Sequence, residues 1–545
     1  MNKRDSIQGY VYCLSVKIIT YTALALTGML SVISMLVTTS ADYSESSYTV
    51  SLAKCIPTLI GIIISVAAIL MVKKNEKTIP SVEKVEAAGF MFGLVASTLW
   101  IFIANTEPVY DSASLIQAAQ ALLGNQEYQT TWMHGGYMWR YSFQTPYVLL
   151  IVAAIKIAGE NFNILLQLSN AFANAFTILL LVRITNKLSS SKVAPLIALL
   201  LSSCFFGTIY YSTWEYGNLL GNTLLLASAV KCIEAFDGSK IQISKTISSV
   251  LFMVFACLIK STLAIAAIAL GITFFLLGLK RKRYGLLPLL VMPYVLYSLV
   301  LGALNAYVGS ITGCDFSGEI PLMSHVTMGT GGGLEWEAEI TGNDEIAFAT
   351  EMPGFFNGYV NQLDKDEEYY SVANKYYLKK RLERYEEYPD LFARFFCKKL
   401  LIEWTDPTFG SLIESNWDRD SVDIGASTRR SYTAFARSFY YGKANIVTTA
   451  LMDIDQSLIA IGAFFELLSL VFSLRGHRIK YSQGIPNISN LFLIIFVIGG
   501  FILYIFWEDK SQYIMPFYIA MLPYAACGLS DFADYFFECM ENVVQ

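Results

Sequence analysis

Long apolar runs divided by short polar turns set the pattern of this chain. Runs at 15–37 and 52–72 are long enough, at 1.5 Å per residue, to cross a bilayer core of about 30 Å, and the run at 87–103 meets the lower limit of length for a span. Others follow at 162–181, 193–210, 217–235, 246–278, 286–306, 447–474, 491–506 and 514–529. In lipid a spanning segment must satisfy its own backbone N–H and C=O groups, so these runs are predicted as helices. Between residues 103 and 146 the pattern changes. Leu115, Ile116, Ala119, Leu122 and Leu123 fall at helical spacing, and a polar, aromatic stretch then runs from Trp132 through His134, Tyr137, Trp139 and Arg140 to Tyr141. The apolar run at 146–158 is short and contains Lys156. It reads as a helix lying in the membrane interface, with a short span as the alternative.

Charge sets the direction of each crossing. Lys3, Arg4 and Lys17 precede or open the first run, and Lys73, Lys74, Lys77 and Lys84 follow the second. The excess of cations on inner loops then places Asp111, beyond the third run, on the outside. The run 246–278 is interrupted by Lys260 and Ser261. A single helix there buries an ammonium in mid-membrane and sends Lys280, Arg281, Lys282 and Arg283 outward. Two short helices meeting at Lys260 place that lysine at the outer mouth and the basic cluster inside, so this arrangement is preferred. The expected fold is an all-α integral membrane protein of about twelve spans, with juxtamembrane helices on its outer face. Four parts are expected: a transmembrane hairpin at 1–84, a membrane core at 85–306 with its first outer loop at 105–160, a large, mainly helical extracytoplasmic loop at 307–446, and C-terminal spans at 447–545. The loop opens with Gly329, Gly331, Gly332 and Gly333. Its cations, from Lys375 to Lys399, read chiefly as a solvated face.

Composition supports the membrane class: 54% of residues are hydrophobic and 15% charged, with a mean hydropathy of +0.47. The net charge of −5 gives no reason to expect nucleic acid as a partner. Nine cysteines and three histidines show no metal-ligand spacing, so neither metal nor cofactor is expected. Cys314 and Cys397 share the large loop, and their pairing is left open. Asp418-Arg-Asp420 has the form of a nucleotide-sugar D-x-D motif, but one triplet in a charged loop is a weak signal.

Candidate chemistry gathers on the outer side: Asp111, Arg140, Glu215, Lys260 and the turn Trp507-Glu508-Asp509-Lys510-Ser511-Gln512-Tyr513. Each has a bland reading. Asp111 suits a helix N-terminus, Lys260 can snorkel, and Glu215 and Lys510 can be loop charges. Their shared side favours a functional site.

These residues resemble the GT-C superfamily of polytopic glycosyltransferases that use lipid-linked sugars, among them protein O-mannosyltransferases and bacterial aminoarabinose transferases. The resemblance rests on Pro108-Val-Tyr-Asp111 after an early span, the Ala-rich helix and glycine at 118–124, Tyr141-Ser-Phe-Gln-Thr-Pro146 before an interfacial helix, and the late turn 507–516 ending in Pro516. There are departures. An extra N-terminal hairpin precedes the core, Glu215 stands for the acid of the second outer turn, and Gln144-Thr-Pro146 replaces a His-Pro-Pro element, which argues against a protein O-mannosyltransferase. The resemblance implies sugar transfer from a polyprenyl-phosphate donor to a hydroxyl on a glycan or lipid acceptor, at the outer face of the cytoplasmic membrane. Asp111 would be the general base of an inverting displacement. Lys260, with Arg140 or Lys510, would stabilise the leaving phosphate. Glu215, Glu508 and Tyr513 would bind substrate, and Trp132, Trp139 or Trp507 would stack on it. The alternatives are an envelope polysaccharide polymerase or ligase and a lipid-linked glycan flippase; Asn170 and Asn174 are the main polar candidates for a path through the membrane.

Overall fold

The computed structural model describes residues 3–41, 48–52, 55–238, 240–330, 367–414, 433–474, 488–508 and 510–544. These residues form helices and one antiparallel hairpin, in which β1 (Thr38–Ala41) pairs with β2 (Tyr48–Ser51). The hairpin continues from α1 (Lys3–Leu36) and leads to α2 (Cys55–Lys74). Next come α3 (Val82–Ala104), α4 (Tyr110–Leu122), the single turn α5 (Tyr137–Arg140), α6 (Thr145–Ala158) and α7 (Phe162–Leu188). After these, α8 (Val193–Cys204) and α9 (Phe206–Tyr210) are followed by α10 (Asn218–Phe236), α11 (Ile243–Ile259), α12 (Ala264–Arg281) and α13 (Met292–Thr312).

Among the described residues, eight helical segments are long and apolar enough to cross a membrane, or nine if the bent pair Val193–Cys204 and Phe206–Thr213 is one span. Length and hydropathy alone therefore do not reach the expected twelve. Ile243–Ile259 and Ile488–Tyr504 are apolar but short. The interfacial helix and the run after it form a single apolar segment, Ser142–Leu188, turning at Gly159, whose φ is 56°. The helix does break at Lys260. α11 stops at Ile259, Lys260 is extended (φ −141°, ψ 100°), and a 3-10 turn, Ser261–Leu263, leads into α12. The break keeps the ammonium off a continuous apolar rod.

The large loop contains α14 (Leu322–Gly329), α15 (Glu367–Glu387), α16 (Pro389–Thr405), α17 (Ser411–Glu414) and α18 (Ala434–Tyr441). Most of its cations are solvated, but Arg381 and Lys399 turn inward. Arg381 donates to the Thr327 carbonyl, and Lys399 Nζ donates to the carbonyls of Gly329, at 2.7 Å, and of Trp507. The carbonyls at a helix C-terminus have no partner within the helix, and cations satisfy them here. Asp418 and Asp420 lie outside the described residues. Cys314 is buried and Cys397 exposed, and both are free thiols.

The chain closes with α19 (Lys443–Leu474), α20 (Phe492–Tyr504) and α21 (Met515–Val544). α19 and α21 cross so closely at Gly462 and Gly528 that a Cβ at either glycine would run into the other helix's backbone. Small residues of this kind let membrane helices pack by direct backbone contact. The third and fourth turns of α19 pack against other parts of the chain: Thr38 Oγ1 donates to Asp453 Oδ1 at 2.6 Å, and Gln456 Nε2 donates to the Asp406 carbonyl at 3.3 Å. Ion pairs hold the end of the bundle opposite Lys260. Arg183 pairs with Glu86, Lys73 with Asp534, and Glu234 with Lys187, Lys231 and Lys245.

Candidate functional site

α3 ends at Asn105 in a left-handed conformation (φ 46°), and Tyr110, which opens α4, is also left-handed (φ 45°). A bulky residue at positive φ is strained, and such strain gathers at functional sites. Asp111 follows in the first turn of α4 and is exposed. Ser112 ties off the helix start: its Oγ accepts from the Val109 N–H at 3.0 Å and donates to the Val109 carbonyl at 2.9 Å. The hydroxyl thus closes the turn beside the carboxylate.

Asp111 lies within electrostatic range of Tyr137, Tyr141, Tyr216 and Lys260. Lys260 Nζ stands 4.2 Å from the centre of the Tyr216 ring and 5.9 Å from that of Trp214, and these two rings stack at 4.6 Å. Partial burial pushes the Lys260 ammonium down to about 7, against the opposing pull of Glu414, Asp111 and Glu508. Lys510 also faces Lys260 and pairs with Glu508 at 3.2 Å; Tyr513 donates to the other Glu508 oxygen at 3.1 Å. Arg140, mostly buried, lies close enough to bear on Tyr141. The phenols of Tyr137 and Tyr216 meet at 3.4 Å. Burial raises both far above the ordinary tyrosine range, with Asp111 the next cause, so they remain neutral hydrogen-bond donors.

Six of the seven residues singled out from the sequence, Asp111, Arg140, Lys260, Glu508, Lys510 and Tyr513, therefore gather at one end of the bundle. Glu215 stands apart. It is 1% exposed and accepts from Gln167 Nε2 at 2.7 Å behind the Trp214–Tyr216 pair. Burial pushes its carboxyl up to about 8, although the Gln167 hydrogen bond opposes the shift. It supports the aromatic floor from behind.

Two expected stacking residues are also structural. Trp132 is 1% exposed and donates to the Ala118 carbonyl at 3.0 Å. Trp139 donates to Asp315 and packs beside His134. Trp507 stacks on His325 at 4.6 Å. Asn170 donates to the Trp214 carbonyl and Asn174 to Ser97 Oγ, both at 2.9 Å, so both serve as staples between packed segments.

Sequence reasoning missed Glu414, which the large loop brings towards Lys260. The only local signal is the breaker sequence Asp406-Pro-Thr-Phe-Gly410 before it. Among the described residues no three His, Cys, Asp or Glu side chains come together as a metal site. No family model matches the chain, and no curated protein does.

Proposed function

We propose that this protein transfers a sugar from a polyprenyl-phosphate donor to a hydroxyl of a glycan or lipid acceptor, at the outer face of the cytoplasmic membrane. One observation carries this reading: an exposed carboxylate at a helix start shares a site with Lys260 at a helix break and with Lys510, over an aromatic floor. Cations at this position suit a phosphate held at the interface while its tail lies in lipid. Asp111 takes the proton of the acceptor hydroxyl as its oxygen attacks the anomeric carbon. The bond from that carbon to phosphate breaks, and the polyprenyl phosphate leaves with the electron pair, its charge met by Lys260 and Lys510, with Arg140 nearby. Direct displacement inverts the anomeric centre. Trp214 and Tyr216, both buried, hold the Lys260 ammonium over their ring faces.

In this reading α11, α20 and α21 also cross, giving twelve spans, and the loop 307–446 lies outside. Against a flippase stand Asn170 and Asn174, whose amide N–H groups are engaged within the packed bundle. The test is purified protein in lipid nanodiscs with radiolabelled polyprenyl-phosphate sugars and a panel of glycan and lipid acceptors. Label leaving the lipid for an acceptor, with the opposite anomeric configuration, is the expected result. Label that stays on the lipid across the whole panel would overturn the reading.

A further inference from the structure

The turn between α16 and α17 is built on a fully buried aspartate. Asp406 Oδ1 accepts from the Thr408 N–H at 2.9 Å and from Thr408 Oγ1 at 2.7 Å. Its Oδ2 accepts from the Gly410 N–H at 3.0 Å and from Ser511 Oγ at 2.6 Å. Three of these bonds close the local turn, where Phe409 (φ 52°) and Gly410 (φ 67°) are both left-handed. The fourth has no local purpose, because it reaches 105 residues along the chain. Ser511 directly follows Lys510 and opens the 3-10 turn Ser511–Tyr513, in which the Tyr513 N–H donates to the Lys510 carbonyl at 3.1 Å. At the other end, the turn runs straight into α17 and Glu414. Tyr211 Oη donates to the Phe409 carbonyl at 2.6 Å, and Gln456 donates to that of Asp406, so the turn is held from two further sides.

We infer that Asp406 is a positioning residue for the outer site: through Ser511 it locks the turn carrying Glu414 to the turn carrying Lys510, setting both against Lys260. The inference rests on the glycosyl-transfer reading in one respect, the assignment of Lys510 to the donor phosphate. A purely structural aspartate would need only its three local bonds, and Ser511 would then be dispensable. A carboxylate is required for the tether, because an amide at this position offers N–H groups to one pair of donors in place of an acceptor.

The test uses the full chain in nanodiscs, with Asp406→Asn, Ser511→Ala, Ser511→Thr and the double variant Asp406→Asn/Ser511→Ala. Losing the charge-assisted bond in Ser511→Ala should raise the donor KM about tenfold while kcat stays within about threefold. Ser511→Thr, which keeps the hydroxyl, should restore KM. The double variant should be no worse than Asp406→Asn alone, the non-additivity expected of two partners in one bond. Without any donor, hydrogen exchange at 510–514 and at 408–414 should quicken together in Ser511→Ala. Exchange that quickens only at 510–514, or KM effects that multiply in the double variant, would overturn the tether. If Asp406→Asn does not fold, the two Ser511 variants and the exchange measurement still decide. If wild-type protein moves no sugar, coupled exchange supports the tether while glycosyl transfer falls. Uncoupled exchange sinks the tether whatever the chemistry.

Discussion

Asp111 is where a catalytic and a merely structural acid part company. Ser112 already closes the start of α4, so Asp111→Asn should leave the melting temperature almost unchanged. As general base, its loss should slow transfer by about two to four orders of magnitude; near-normal transfer by the folded variant refutes the mechanism. Lys260 adds a pH dependence with a definite sign. Its ammonium is pushed down to about 7, so the donor-free protein loses that charge as pH rises through neutrality. Donor KM should therefore climb above pH 7 in the wild type and stay flat in Lys260→Arg, because arginine remains charged. A pH-independent wild-type KM removes Lys260 from phosphate binding. Glu215 offers a contrast. Its carboxyl, raised to about 8 by burial, binds a proton in the folded protein that the unfolded chain releases near pH 4–5, so its contribution to stability falls as pH rises between those limits. Glu215→Gln should accordingly melt higher than wild type at pH 8, with kcat within about threefold, since an amide can still accept from Gln167. A larger fall in turnover would return Glu215 to the substrate.

Between elements, the placement of Lys260 depends on how closely α10 approaches α11. Gly217 is left-handed (φ 80°), and a Cβ there would lie 2.7 Å from the Ile259 carbonyl, one residue before the lysine. Gly217→Ala combines backbone strain with overpacking and should cost about 2–4 kcal/mol, with loss of transfer in whatever folds. Gly124→Ala is the control: its φ of 99° carries the strain, but open space surrounds it. Equal activity in the two variants, assayed as folded protein, would mean that the contact does not position Lys260. Much at this scale was legible in the sequence, and for a physical reason. One lysine in a 33-residue apolar stretch is so costly in lipid that a helix break there was the cheaper solution. The strands β1 and β2 were not legible, since four residues each give no periodicity to read. Glu414 and Asp406 escaped for a different reason. Their partners, Lys260 and Ser511, are more than a hundred residues away along the chain, and local pattern carries no record of such contacts. The same holds for Trp132 and Trp139, whose burial depends on α4 and on the segment around Asp315.

For the whole molecule, the orientation in the bilayer decides whether lipid phosphate and site share a face. With native thiols removed, a cysteine at Glu127 should react with an impermeant maleimide in intact cells, and one at Lys282 only after permeabilisation. Labelling of Lys282 in intact cells would break the arrangement of α11 and α12 as two spans. A long rod near the site gives this topology a further meaning. α19 has 32 residues, about 48 Å of helix at 1.5 Å per residue, well beyond the roughly 30 Å of a bilayer's apolar core. Its contacts with Thr38 and with the backbone of Asp406 come from Asp453 and Gln456, in its third and fourth turns; in the proposed topology the part beyond them lies in lipid. A rod anchored at both levels acts as a gauge of the bilayer. In a thicker or thinner membrane it must tilt or slide to match, and the turn it props moves with it. In the proposed topology acyl-chain length would thereby enter the geometry around Lys260, making the lipid surroundings a setting of the site as well as its solvent.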